Sequence, residues 1–184
     1  DVTIPSEYIM LNHFLDEIDD AVEAKLANYI RSIQGSHGGW PLYFDGDFDM
    51  SASVKAYLAL KLTGEDIEAP HMAWARHAIL ERGGAVTSNV FTRIALALFG
   101  QLPWRAVPVI RVEAMFLPKW APVFHIDMVS YWSRTVMVPL LVLAALKPRA
   151  RNPCGVDIAE LFLRPPEEER KFLINASGRF LGTI

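Results

Sequence analysis

The sequence predicts an all-α protein built from helix hairpins that stack or close into a ring. Three observations support this fold class. Apolar residues recur at helical spacing along most of the chain, and no segment keeps the alternation of apolar and polar residues that is typical of a strand. In addition, AYLALKLTG (56–64) resembles RIALALFG (93–100), and each segment follows a helix that ends in a glycine-rich turn. Repeated hairpins of this kind are typical of stacked or ring-shaped α/α architectures.

The first half of the chain contains four clear helical patterns. Val22, Leu26, Ile30 and Ile33 fall on one helix face, and comparable spacing recurs three times downstream. Proline near helix starts and glycine after helix ends set the boundaries. We therefore predict helices over residues 19–32, 51–63, 70–82 and 88–99.

Residues 101–126 have a different character, because prolines there alternate with Trp and Phe. This proline density excludes one long helix and favours short pieces over 104–106 and 110–116. A strong helix is predicted from about residue 128 to 146, with Pro139 kinking or splitting it. A short helix is predicted near 156–163.

Composition narrows the class of protein. With 184 residues, 52% hydrophobic and 21% charged, the chain is long enough for one globular domain with a sizeable core. A net charge of -3 argues against a nucleic-acid partner. The single cysteine, Cys154, excludes an internal disulfide and fits a reducing compartment. The longest apolar run, 136–146, is too short to span a bilayer, which needs about 20 residues.

Three aspartates at alternate positions, Asp45, Asp47 and Asp49, allow three interpretations. A calcium loop would need glycine where Met50 stands and glutamate where Ala56 stands. An acid catalyst would need a carboxyl kept protonated by burial or by close carboxylate neighbours. The favoured interpretation is that Asp49 caps the helix that begins near residue 51.

Just upstream, Gln34, Gly38 and Trp40 form the pattern Gln-x3-Gly-x-Trp. Glycine lets the chain reverse tightly after a helix. The glutamine can hydrogen-bond backbone groups at the start of the next helix, and the Trp ring can cover its amide. The expected role of this turn is stability.

This pattern and three longer blocks resemble the squalene–hopene cyclases of the triterpene cyclase family. The blocks are GSHGGWPLYFDGDFDMSASVKAYLALKLTGED, SNVFTRIALALFGQLPWRAVPVIRVEAMFLPKW and VSYWSRTVMVPLLVLAALKPRARNP, in the family's order. The resemblance implies an α/α-toroid of the terpenoid cyclase type. Residues 1–165 would form a partial amino-terminal α/α-barrel domain, and 166–184 a linker and the start of a further segment.

The resemblance also implies an isomerase that folds squalene in a dry cavity between two helical domains. In such an enzyme a buried aspartic acid protonates the terminal alkene, aromatic faces stabilise the carbocation, and proton loss or water addition gives hopene or hopanol. No metal or organic cofactor is implied. The family implies squalene as partner, a peripheral position on the cytoplasmic side of a bacterial membrane, and a homodimer.

The family's protonating motif, Asp-x-Asp-Asp-Thr-Ala, does not occur in the chain. We therefore expect a fragment that is inactive alone. Asp1 enters a helical pattern almost at once and residues 180–184 stop in an apolar stretch, which supports the same expectation.

By resemblance, Trp132 and Phe91 match aromatic residues on the cavity wall, and Glu7 matches an acidic residue near its polar end. The alternatives are core aromatics on apolar helices and a solvated carboxylate. Asn89 stands where the family often has Arg, which puts a polar contact there in doubt. No metal site is expected, because the histidines show no ligand spacing with Cys154. They are His13, His37, His71, His77 and His125.

Two other functions stay open on the sequence. One is a cyclase of the same fold that acts on another polyprenyl substrate. The other is a non-catalytic helical module that binds lipid or protein through the Pro/Trp-rich region 103–124.

Overall fold

A computed structural model describes residues 1–108, 112–118, 120, 126–152 and 155–169. These ranges contain six α-helices and no strand: α1 (Thr3–Leu15), α2 (Asp20–Ser32), α3 (Met50–Leu62), α4 (Pro70–Glu81), α5 (Val90–Leu98) and α6 (Tyr131–Leu146). Short 3₁₀ turns lie at Ala85–Thr87, Trp104–Ala106, Val112–Phe116, Ile126–Met128 and Ala159–Leu161. The predicted all-α class is confirmed.

Helix α3 is the centre of the domain. It packs against α1, α2, α4 and α5, and all of its residues except Met50 and Lys61 are buried. Its sequence, MSASVKAYLALKL, places serine and alanine between larger apolar residues, so neighbouring helices can approach closely. Tyr57, Leu58 and Leu60 have no exposed surface. The core is therefore built around one helix, and the other helices are positioned relative to it.

Side-chain caps set four of the six helix starts in the described ranges. The Asp49 carboxylate accepts a hydrogen bond from Ala52 N at 2.7 Å, which confirms the predicted cap of α3. Asp19 caps α2 in the same way. Asn89 caps α5, and Ser130 caps α6.

Two boundary predictions need correction. Helix α6 begins at Tyr131 instead of residue 128, because Ser130 caps it there, and it continues through Pro139. The helix predicted over 156–163 is wrong except for the 3₁₀ turn at Ala159–Leu161.

In the segment 156–163, side chains accept hydrogen bonds from backbone N–H groups that a helix would have bound internally. Gln101 Oε1 accepts from Ile158 N at 2.8 Å, and Asn152 Oδ1 accepts from Val156 N at 3.0 Å. Part of the region 110–116, His125, Cys154 and most of 166–184 lie outside the described residues.

The outer face of α1 is apolar and exposed. Ile4, Tyr8, Leu11 and Leu15 follow one another at helical spacing, and roughly half or more of each residue is open to solvent. Such a stripe is unusual on a complete monomeric protein. Within the described ranges, no helix has the length and apolarity needed to cross a bilayer.

Candidate cavity wall

Two neighbouring turns of α3 hold the segments that carry Glu7 and Phe91. Lys55 Nζ lies 2.6 Å from Glu7 Oε1 on α1, and Ser51 Oγ accepts a hydrogen bond of 2.9 Å from Asn89 N at the start of α5. Ser51 and Lys55 are four residues apart and therefore share one face of the helix. The structure thus brings Glu7 and the start of α5 to the same face of α3.

Glu7 and its partner differ strongly in exposure. The Lys55 side chain is 9% exposed and the Glu7 side chain 58% exposed. The carboxylate is therefore half open to the surroundings while the ammonium that holds it is buried.

The two aromatic residues are exposed, not core. Phe91 is 59% exposed near the start of α5, and Trp132 is 77% exposed in the first turn of α6. Both side chains therefore lie at the surface of the described residues. Within the described ranges no hydrogen bond or ring contact joins Glu7, Phe91 and Trp132 directly.

An apolar groove of about 230 Å³ separates α5 from α6. Phe91 directly follows one lining residue, Val90, and Trp132 lies upstream of another, Met137, but neither ring lines the groove. Val90, Ile94, Trp104, Val107, Pro108, Met137, Leu140, Leu141 and Ala144 line it. The described part of α5 and α6 therefore presents two exposed aromatic side chains and, separately, an apolar groove.

Several other ionisable groups form ion pairs. His13 Nε2 lies 2.7 Å from Glu23 Oε1, and Arg31 binds Glu65. Among the described residues, no group of three or more His, Cys, Asp or Glu side chains is arranged to hold a metal ion.

The turn formed by Gln34, Gly38 and Trp40 connects three helices. Gln34 Nε2 donates to Gly38 O at 2.7 Å and to His71 O at 3.0 Å, in the first turn of α4. The glutamine at the end of α2 therefore binds α4, and not α3, which is the next helix along the chain. Trp40 is fully buried, and its Nε1 donates to Ile30 O at 2.8 Å.

Glycine is needed at position 38 because its φ is +87° and an added Cβ would lie 2.9 Å from Trp74 Nε1. The turn also continues directly into α3. Trp40 N donates to Ser53 Oγ at 2.9 Å, so the chain leaving the turn is bound to that helix.

Replacing Gln34 by alanine is expected to lower the free energy of unfolding by about 1–3 kcal/mol, because two carbonyl groups lose their donor. Urea unfolding of the chain followed by circular dichroism measures this. Gln34→Glu is the matched control, since it keeps the size but removes the amide donor and should cost at least as much. A stable Gln34→Ala variant would contradict the assigned role.

The environment of His71 predicts a pH dependence of stability. Burial lowers the pKa of its imidazole from the usual 6.5, and the Arg31 guanidinium lowers it further. His71 Nε2 lies 3.4 Å from Glu65 Oε2, but without hydrogen-bond geometry, and Arg31 already binds that carboxylate.

Between the folded-state pKa and 6.5 the unfolded chain binds more protons, so the free energy of unfolding falls as pH falls below 6.5. We expect His71→Gln to reduce this slope in urea unfolding between about pH 7.5 and about pH 5.5. Equal slopes in wild type and His71→Gln would refute the prediction.

Sequence reasoning missed Lys55 and the two side chains that bind the segment near residue 160. Glu160 Oε1 accepts from Tyr57 OH at 3.0 Å and from Lys61 Nζ at 2.6 Å. Burial raises the pKa of the Tyr57 phenol, and Glu160 raises it further. The available signal was the two lysines that interrupt the apolar sequence of α3, because a buried lysine requires a partner.

Comparison with known proteins gives one consistent result. The family model described as squalene–hopene cyclase N-terminal domain matches residues 1–181. Squalene–hopene cyclase from Bradyrhizobium diazoefficiens is 64% identical over 90% of this chain. A probable squalene–hopene cyclase from Sinorhizobium fredii is 61% identical over 89%, and the Zymomonas mobilis squalene–hopene cyclase 58% identical over 89%. The chain spans 25% of the length of each of these relatives.

Proposed function

The chain belongs to the squalene–hopene cyclase N-terminal domain family, and we propose that it forms part of an enzyme that cyclises squalene to hopene or hopanol. The observation that carries this proposal is the 64% identity to a squalene–hopene cyclase over nine tenths of the chain. Since the chain spans a quarter of that relative, the activity is proposed for a longer polypeptide that contains it.

In this enzyme the chain supplies part of the wall of the squalene cavity. Trp132 and Phe91 present exposed rings from neighbouring helices, and an aromatic face lowers the energy of a carbocation that passes close to it. The apolar groove between α5 and α6 gives the hydrocarbon a surface that excludes water.

The protonating acid comes from another part of the longer polypeptide. The Asp-x-Asp-Asp-Thr-Ala motif is absent from these 184 residues, so the isolated chain does not start the reaction. We propose no metal ion or organic cofactor for the reaction. Protonation of the alkene starts it, and either loss of a proton or addition of water ends it.

The longer protein lies peripherally on the cytoplasmic side of a bacterial membrane, where squalene is dissolved, and assembles as a homodimer. The exposed apolar stripe on α1 supports the proposal that further protein covers this helix in that assembly.

Incubation of squalene with the longer polypeptide, followed by gas chromatography and mass spectrometry, tests the proposal. We expect a pentacyclic alkene or alcohol from the longer polypeptide and unchanged squalene from residues 1–184 alone. If the longer polypeptide cyclises a different polyprene and leaves squalene unchanged, that polyprene is the substrate instead of squalene. Binding of squalene-containing vesicles without turnover of any polyprene would favour the non-catalytic module.

A further inference from the structure

Helix α6 has two different faces. One faces the groove between α5 and α6, where Leu141 is buried. The other is open to the surroundings, and its residues recur at helical spacing. Trp132, Thr135, Val136, Pro139, Val142 and Leu146 form this open stripe of α6. Since Trp132 belongs to the open stripe, a cavity that contains its ring also borders the following turns of α6.

Pro139 and Trp132 leave α6 in nearly the same direction. They are seven residues apart, and seven steps of about 100° end within about 20° of the starting direction. At a rise of about 1.5 Å per residue, the two positions are separated by about 10 Å along the helix axis. Pro139 therefore lies two turns beyond Trp132 on the same side of the helix.

A proline inside a helix leaves one backbone carbonyl without its usual donor. Pro139 has no N–H, so Thr135 O does not receive the hydrogen bond that closes this turn in an uninterrupted helix. The proline ring also clashes with that carbonyl, and carbonyls on the open side of a helix tilt outward. Thr135 and Pro139 are both exposed. The Thr135 carbonyl is therefore presented on the open stripe, about one turn from Trp132.

The other polar groups of this part of α6 leave the carbonyl free to act. Thr135 Oγ1 donates to Trp132 O at 2.6 Å, so the hydroxyl hydrogen points toward the preceding turn and not toward Thr135 O. Arg134, the cationic residue of α6, lies about 200° around the helix from Trp132 and binds Asp127 Oδ1 at 3.3 Å. Near Thr135 the open stripe thus presents oxygen lone pairs and no positive charge.

We propose that the Thr135 carbonyl, freed by Pro139, is a second electron-rich group of the cavity wall and stabilises a carbocation about one turn of α6 from the Trp132 ring. This inference rests on the proposed function. The partial negative charge on the carbonyl oxygen attracts a cation without forming a bond to it, and this attraction is much stronger in a dry cavity than in water. The ring and the carbonyl thus act on cation centres at successive positions along the substrate.

Pro139→Ala in the longer polypeptide tests this role, because alanine supplies an N–H that binds Thr135 O. We expect kcat for squalene to fall about tenfold. Alanine favours a helix more than proline does, so thermal stability should stay the same or increase. A cation that loses this stabilisation ends its cascade early: a neighbouring C–H bond breaks, its electron pair forms a C=C bond, and the proton passes to water. Gas chromatography and mass spectrometry should therefore show a larger share of partly cyclised alkenes.

Two further variants separate the carbonyl from the shape of the helix and from the loss of a proline. Pro139→lactate, introduced by nonsense suppression, carries the alanine side chain on a backbone ester without an N–H. It leaves Thr135 O free and should recover most of the turnover. Pro148→Ala, just beyond the end of α6, is the matched control and should change neither kcat nor the product distribution.

Three results would overturn the inference: a Pro139→Ala variant with wild-type turnover and products, a Pro139→lactate variant as impaired as Pro139→Ala, or an equal loss in Pro148→Ala. A wild type that leaves squalene unchanged refutes the proposed function and this inference together. An active wild type with an unaffected Pro139→Ala variant refutes the inference alone.

Discussion

Replacing Trp132 by alanine in the longer polypeptide is expected to lower kcat/KM for squalene about thirtyfold, which corresponds to a lost cation–π interaction of about 2 kcal/mol in a dry site. The indole is 77% exposed in this chain, so little core packing is lost with it. Trp132→Phe retains a weaker ring face and should fall between wild type and alanine. Squalene turnover at several substrate concentrations measures the effect.

Tyr131 provides the control for this variant, because it is also 77% exposed and directly precedes Trp132 on α6. Adjacent helix positions point in directions about 100° apart, so the Tyr131 side chain leaves α6 in a different direction from that of Trp132. Tyr131→Leu should change kcat/KM by less than about threefold. If Tyr131→Leu reduces turnover as much as Trp132→Ala, or if Trp132→Ala is fully active, the assigned wall position of Trp132 is wrong.

The largest loss of stability is expected for Trp40→Ala. Trp40 is fully buried, and its indole N–H donates to Ile30 O at 2.8 Å, so the variant loses packing and leaves a cavity at the junction of α2 and α3. The expected decrease in the free energy of unfolding is about 3–5 kcal/mol. Urea unfolding of the chain measures this decrease, which is a large fraction of a domain's total stability.

Trp120→Ala serves as the control because this residue is almost completely exposed. It should change the free energy of unfolding by less than about 0.5 kcal/mol. A Trp40→Ala variant as stable as Trp120→Ala would show that the turn does not hold α2 and α3 together.

Local sequence signals predicted the helices well. The caps Asp49 and Asn89 mark the starts of α3 and α5 within two residues of the predicted positions, because a capping side chain and its acceptor geometry are local in sequence. Helix α6 begins at Tyr131, three residues after its predicted start, because its capping residue is Ser130. The family was likewise accessible from short blocks of sequence.

Contacts between distant residues could not be predicted in the same way. Lys55 and Glu7 are 48 positions apart, and Lys61 and Glu160 are 99 apart. The sequence shows that a lysine lies in an apolar helix, but the identity of its partner depends on how the helices pack. The failed helix prediction near residue 160 has the same origin, because Gln101 binds that backbone from 57 positions away.

The most direct test of the proposed cavity position is a structure of the longer polypeptide with a bound, non-reactive squalene analogue carrying a positive charge in place of a carbocation. We predict that the Trp132 ring face lies within about 6 Å of the ligand, the range of a cation–π contact. Phe91 should line the same cavity, and Glu7 should lie at its polar end. A ligand bound away from α5 and α6, with Trp132 packed against protein, would contradict the claim that this chain forms part of the substrate cavity.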